Sequence, residues 1–288
     1  MITVQRQATW VLIGLVAVIE GAFLVAWSRL VFDPPVLAVL VPLHRATGGL
    51  VGANLVFGLI GLLLTVGFVI FGIGQVPPAA VGWIGRKAGV GLLVGLGIWV
   101  AMQVVLAAMA AVAGHTPALA PGWKGAGAVA LAGSLLGQAL GITLHEETVY
   151  RGFLFPQIAA QIRRSSDGRK LLVGALVSQL LFALSHLPNL ALVQRSPALA
   201  LDLLGLFLMG LGFVVCYTVT ENLFVCIALH TLGNQPALLV PASDTTAHVV
   251  LAVLAILLLL AWRPATRMLQ RRASAPATGE PAPAPVAR

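Results

Sequence analysis

"GAVALAGSLLGQALGITLHEETVYRGFLFP", residues 127–156, begins as a long apolar run and then carries a histidine, two adjacent glutamates and an arginine between positions 145 and 151. A helix needs ~20 mostly apolar residues to cross the hydrocarbon core of a bilayer. The stretch therefore reads as a transmembrane helix with ionisable side chains on it. The fold depends on whether the rest of the chain repeats that pattern.

It does. The 288 residues are 59% hydrophobic and only 9% charged, and the mean hydropathy is +0.99. Soluble domains carry roughly 45–50% apolar residues, so a soluble globular protein is excluded. Apolar runs of spanning length lie near Thr9 to Phe32, Leu50 to Ile73, Ala88 to Ala113, Gly127 to His145 and beyond, Leu171 to Leu187, Ala198 to Thr220, Asn222 to Val240, and Ala247 to Trp262. The predicted fold class is all-α: a polytopic transmembrane helix bundle of about eight spans.

The net charge of +8 does not indicate nucleic acid, because the basic residues sit at segment ends. Arg6 precedes the first run, and Arg86 and Lys87 separate the second from the third. Arg163, Arg164, Arg169 and Lys170 separate the fourth from the fifth, and Arg263, Arg267, Arg271 and Arg272 follow the eighth. With eight spans all four clusters share one side, which the positive-inside rule makes cytoplasmic. The expected location is the cell membrane, multi-pass, with both termini cytoplasmic. Arg29, His44 and Arg45, in the first loop of the other side, run against that assignment. The first apolar run is too long for a signal-peptide core and is read as a retained anchor.

Cys216 and Cys226 lie inside apolar runs and read as small hydrophobes, with no disulfide framework. Residues 263–288 read as a tail, basic at first and then Ala/Pro-rich and disordered. No repeated pair of broken hydrophobic segments argues for a transporter. Gly137 and Gly141, four apart, fit ordinary helix packing in membranes. Glu20 and Asp202 fall within spans and are expected to pair or to snorkel.

Ionisable groups inside a span cost at least ~2.5–3.5 kcal/mol each at the helix centre and face partners or cavities. Glu147 and Arg151 are four apart, which puts them on one helix face with the acid on the N-terminal side. Glu146 is turned about 100° away and is left without that partner, available as a general base. "FALSHLP" at 182–188 places Phe182 and His186 one turn apart, with Gln179 extending the face. If "SSDG" at 165–168 turns a helical hairpin, Glu147 and His186 stand level across it; Pro156 kinks the first arm. "HTLGN" at 230–234 puts His230 and Asn234 one turn apart on a third helix. Three helices thus offer polar residues to one buried site.

Glu146-Glu147-x-x-x-Arg151, then Phe182-x-x-x-His186, then His230-x-x-x-Asn234, with "RGFLFP" after the glutamates, resembles the ordered motif set of the CPBP family. These are intramembrane proteases related to the type II CAAX prenyl endopeptidase and to bacteriocin-processing or immunity proteins. The matching core is expected at residues 90–262, with 1–89 forming N-terminal helices outside it. The resemblance implies an intramembrane endopeptidase in which Glu146, helped by His186, activates water while His230 and Asn234 hydrogen-bond the tetrahedral intermediate. Glu147 and Arg151, by their spacing, hold the helix in register; either glutamate remains open as the base. The implied partners are a peptide or protein substrate, lipidated in the eukaryotic relatives, and membrane lipid.

No cofactor is expected under this reading. The alternative is zinc held by His186, His230 and a glutamate. "HEETV" fails the HExxH signature at Val149, and no GxSxG or thiol–histidine pattern marks a serine or cysteine protease. A noncatalytic scaffold or immunity protein of the same fold is the remaining alternative.

Overall fold

A computed structural model describes residues 7–116, 118–124 and 127–273. Among them there is no strand; the chain forms nine principal helices. They are α1 (Trp10–Leu30), α2 (Pro34–Ala46), α3 (Ala53–Ile73), α4 (Gly85–Val112), α5 (Gly127–Gln161), α6 (Asp167–Gln194), α7 (Leu199–Thr220), α8 (Leu223–Asn234) and α9 (Asp244–Ala273). Seven of these are long and apolar enough to span a membrane; α2 and α8 are not. The all-α polytopic bundle is therefore observed, with two departures from the expected elements.

The first departure is α2, in a region read as a loop. Pro34 and Pro35 occupy its first turn, where a missing N–H costs nothing and φ is already helical. Its 13 residues bury nothing, so it lies on one face of the bundle.

The second is the seventh expected span, Asn222 to Val240, whose helix stops at Asn234. Twelve residues rise only ~18 Å, short of the ~30 Å core. The crossing is finished by non-helical chain. Asn222, at the start of α8, donates from Nδ2 to Lys87 O at 3.0 Å, while Leu239 O accepts from Ala120 N, beyond the far end of α4, at 2.8 Å. Irregular backbone at this depth needs partners in the protein. Gln103 Oε1 accepts from Leu239 N at 2.8 Å, and Trp99 and Trp123 donate indole N–H groups to Ala237 O and Leu238 O at 3.1 and 2.8 Å.

Helix starts follow ordinary capping chemistry. Thr9, Ser166 and Asn222 accept from Leu12, Arg169 and Phe224 backbone N–H groups. Glu221 turns the chain from α7 into α8 with φ of 52°. α9 continues through the basic part of the expected 263–288 tail to Ala273, the first residue of its expected disordered part; the remainder, residues 274–288, and Arg6 lie outside the described residues.

Lipid removes the usual hydrophobic drive between helices, so close packing takes over. A Cβ on Gly58 would sit 2.1 Å from Gly141 C, and one on Gly141 would sit 2.4 Å from Asn54 O, so α3 and α5 touch backbone to backbone. Gly137 extends that seam, its Cβ position 3.3 Å from Asn54 Cβ. Two apolar clusters result. One joins α1, α3 and α5 around Val16, Ile70 and Phe153; the other joins α4, α7, α8 and α9 around Met102, Val214 and Val225. Cys216 and Cys226 are free and buried in the second. α5 supplies residues to both clusters, and its polar face lies at their junction.

Candidate active site

α5 is not a uniform α-helix. Wide π-helical turns at Gly137–Thr143 and Thr148–Leu154 flank a single α-helical turn, Leu144–Glu147, that carries both glutamates. Insertions of this kind re-aim side chains at functional sites. The second wide stretch runs into Pro156, at the start of Phe155–Gln161, so the ring's missing N–H is absorbed without ending the helix. The 162–166 turn then returns the chain into α6. Glu146 and His186 stand level across this hairpin, with Oε1 and Nε2 3.7 Å apart.

Glu147 and Arg151 are fully buried, joined by Nη1 to Oε1 at 3.0 Å. The same oxygen accepts from His230 Nδ1 at 2.8 Å. Arg151 also donates from Nη2 to Gly210 O at 3.4 Å, and its guanidinium lies 4.2 Å from the Phe182 ring centroid and 5.2 Å from that of Phe213. A buried cation needs this many neighbours to offset its lost hydration. Gly210 leaves the room: a Cβ there would come within 2.7 Å of Gln179 Oε1 and 3.2 Å of Arg151 Nη2.

Glu146 has different company. Its Oε2 is buried with no hydrogen-bond partner among the described residues, and His230 Nε2 lies 3.7 Å from it. His186 sits at the end of the regular helical part of α6, its Nδ1 2.9 Å from Phe182 O. A carbonyl only accepts, so Nδ1 carries a proton; in the neutral ring Nε2 then turns its lone pair toward Glu146. By the same argument His230 donates from Nδ1 to Glu147 and turns Nε2 toward Glu146. Phe213 stacks on the His230 ring at 4.8 Å.

Asn234, in the last turn of α8, is exposed and donates from Nδ2 to Gln138 Oε1 at 3.0 Å. Glu146, His186, His230 and Asn234 all line one cavity of about 590 Å³. Glu147 and Arg151 lie behind its wall. Among the described residues no three His, Cys, Asp or Glu side chains are arranged as a metal donor set.

Several neighbours escaped the sequence reading. Gln138 is two turns from Glu146 on α5, and that spacing is its signal. Thr143 and Thr231 share a hydroxyl hydrogen bond of 2.8 Å that ties α5 to α8. His145 is fully buried and lies 3.1 Å from Glu20 Oε2, which also accepts from Thr65 at 2.8 Å. Phe213 carries no signal at all, being one apolar residue among many.

Comparison with curated proteins and with solved structures yields no match to the chain. Residues 128–235, the stretch from α5 to the end of α8 that supplies all seven motif residues, match the family model described as type II CAAX prenyl endopeptidase Rce1-like. Over that stretch the chain is similar to the type II CAAX prenyl endopeptidases, which supports the resemblance to the CPBP family carried by the three motifs.

Proposed function

We propose that the protein is a membrane-embedded endopeptidase that hydrolyses a peptide bond with water activated by Glu146 and His186. The observation that carries this reading is the approach of the Glu146 carboxylate to His186 Nε2 at 3.7 Å, with His186 Nδ1 held on Phe182 O, so that a neutral ring offers a second acceptor. Two acceptors this close need a shared donor. A water at hydrogen-bond distance from each, ~2.8 Å, donates both protons and leaves an oxygen lone pair for attack on a carbonyl carbon. Glu146 takes the proton as the C–O bond forms and returns it to the leaving amine as the C–N bond breaks.

The oxyanion forms beside Asn234, whose amide N–H turns from Gln138 to the substrate. The second donor is His230 where it enters the reaction as imidazolium, with Nδ1–H on the Glu147 carboxylate and Nε2–H free for the oxyanion. The cavity wall adds the carboxamides of Asn54, Asn189 and Gln194 and, among the described residues, no Lys or Arg. Carboxamides both donate and accept, as an extended peptide backbone requires. The absence of a cation from this lining favours a segment within a chain over capture of a C-terminal carboxylate. Membrane lipid surrounds the bundle.

The test is cleavage of a peptide library by purified protein beside Glu146→Gln and His186→Ala, each with and without a strong chelator. Activity that survives chelation and falls at least ~10²-fold in both variants supports the general-base mechanism. Loss on chelation, reversed by added zinc, replaces it with the zinc reading.

A further inference from the structure

The helices that wall the cavity do so with ends belonging to one side of the bundle. α1 and α6 contribute residues near their C-termini, Trp27 and Gln194; α3 contributes Asn54 near its N-terminus; α8 contributes Asn234 at its C-terminus. Successive crossings alternate in direction, so these termini all point to the same face. Gln138, in the N-terminal part of α5, agrees with them.

The basic clusters mark the opposite face. Arg86 and Lys87 open α4, Arg163, Arg164, Arg169 and Lys170 flank the turn between α5 and α6, and Arg263 and Arg267 lie toward the end of α9. On the cavity side the bases are scattered: Arg29, Arg45, Lys124 and Arg195. The Lys/Arg bias of short loops sets orientation, with the richer side inside. Because the irregular chain after α8 completes a crossing, the alternation holds from α1 to α9.

We infer that the cavity opens away from the cytoplasm, and that the substrate is a polypeptide segment exposed on the extracytoplasmic side or in the outer leaflet. The orientation rests on topology and charge alone; that the segment is cleaved there rests on the function proposed above. A substrate anchored by its tail in the cytoplasmic leaflet meets the basic face, across the bilayer from the opening.

The test is sided thiol labelling of the full chain, which needs no activity. Cys216→Ala and Cys226→Ala remove both native thiols. Single cysteines are then placed at Gln194→Cys in the cavity wall, at Asp33→Cys on the same face, and at Asp167→Cys on the basic face; all three side chains are exposed. Right-side-out and inside-out membrane vesicles are treated with a membrane-impermeant maleimide, with detergent-opened vesicles giving total labelling. Expected is modification of Gln194→Cys and Asp33→Cys in right-side-out vesicles only, and of Asp167→Cys in inside-out vesicles only. Labelling of Gln194→Cys from the Asp167 side, or from neither side, overturns the inference, and Asp33→Cys reports the orientation if Gln194→Cys fails to fold. A peptidase assay that finds no cleavage while the labelling pattern holds rejects the proposed activity and leaves the orientation standing.

Discussion

A carboxylate that takes a proton from water must be free of strong partners, whereas one that holds a buried guanidinium must not be. Under the proposed function Glu146 and Glu147, adjacent in the chain, divide these tasks because a helix turns them onto different faces. Glu147 Oε1 is held by Arg151 at 3.0 Å and His230 at 2.8 Å; Glu146 Oε2 has no hydrogen bond among the described residues. The two glutamates therefore respond differently to the same substitution. Glu146→Gln is expected to keep the thermal stability of the wild type in detergent while losing cleavage. Glu147→Gln leaves a buried arginine short of its counter-ion, a change that typically costs about 3–5 kcal/mol, and it is expected to lower the melting temperature sharply as well as the rate. A stable, inactive Glu147→Gln beside an active Glu146→Gln reverses the assignment. Asn234→Ala tests the oxyanion donor: kcat is expected to fall about 10²–10³-fold with little change in KM, measured by steady-state cleavage of the best library peptide.

At the scale of elements, the site depends on how closely α3 and α5 approach. Gly141 lies against Asn54 backbone, and any side chain there must part the two helices. Gly141→Leu is expected to destabilise the protein by about 1–3 kcal/mol or more, the usual cost of overpacking, and to slow cleavage by moving the glutamates away from His186. Thermal unfolding and kinetics of the same preparation check both effects, with Gly14→Leu on α1, where a Cβ meets nothing within 4 Å, as the control. The glycine spacing that marks this seam was visible in the sequence. So were the spans and the three polar motifs, because charge and amide groups stand out against an apolar background and the hairpin sets their depth. The end of α8 was hidden for the converse reason. "QPALLVP" after Asn234 is apolar enough to prolong a hydropathy run, and hydropathy does not register where backbone leaves a helix; Pro236 and Pro241 were the available signs. The π-helical turns of α5 have no compositional mark, and the partner of His145 lies 125 residues away, beyond any local pattern.

For the whole molecule, the question is why the bundle is larger than its matched stretch. Residues 128–235 contain the motif residues, yet α1 and α3, which precede them, wall the cavity through Trp27 and Phe57. They also grip α5 directly. Glu20 on α1, which accepts from Thr65 on α3, meets His145, next in sequence to Glu146, and a Cβ on Gly61 of α3 would strike the His145 ring at 2.5 Å. Fixing a residue beside the reactive carboxylate from two other helices limits how far α5 can rotate or slide, and small displacements of a base weaken catalysis steeply. Glu20→Leu leaves His145 buried without its acceptor, an omission worth about 1–3 kcal/mol of stability. Because α5 then loses a restraint close to Glu146, kcat is expected to fall by about tenfold or more while KM changes less. Glu20→Gln keeps an oxygen that can accept from both Thr65 and His145, and is expected to recover most of the rate. Kinetics of the two variants, read beside their melting temperatures, separate restraint from bulk stability: equal kcat in Glu20→Leu and the wild type, despite a lower melting temperature, makes the N-terminal helices a wall for the cavity and nothing more.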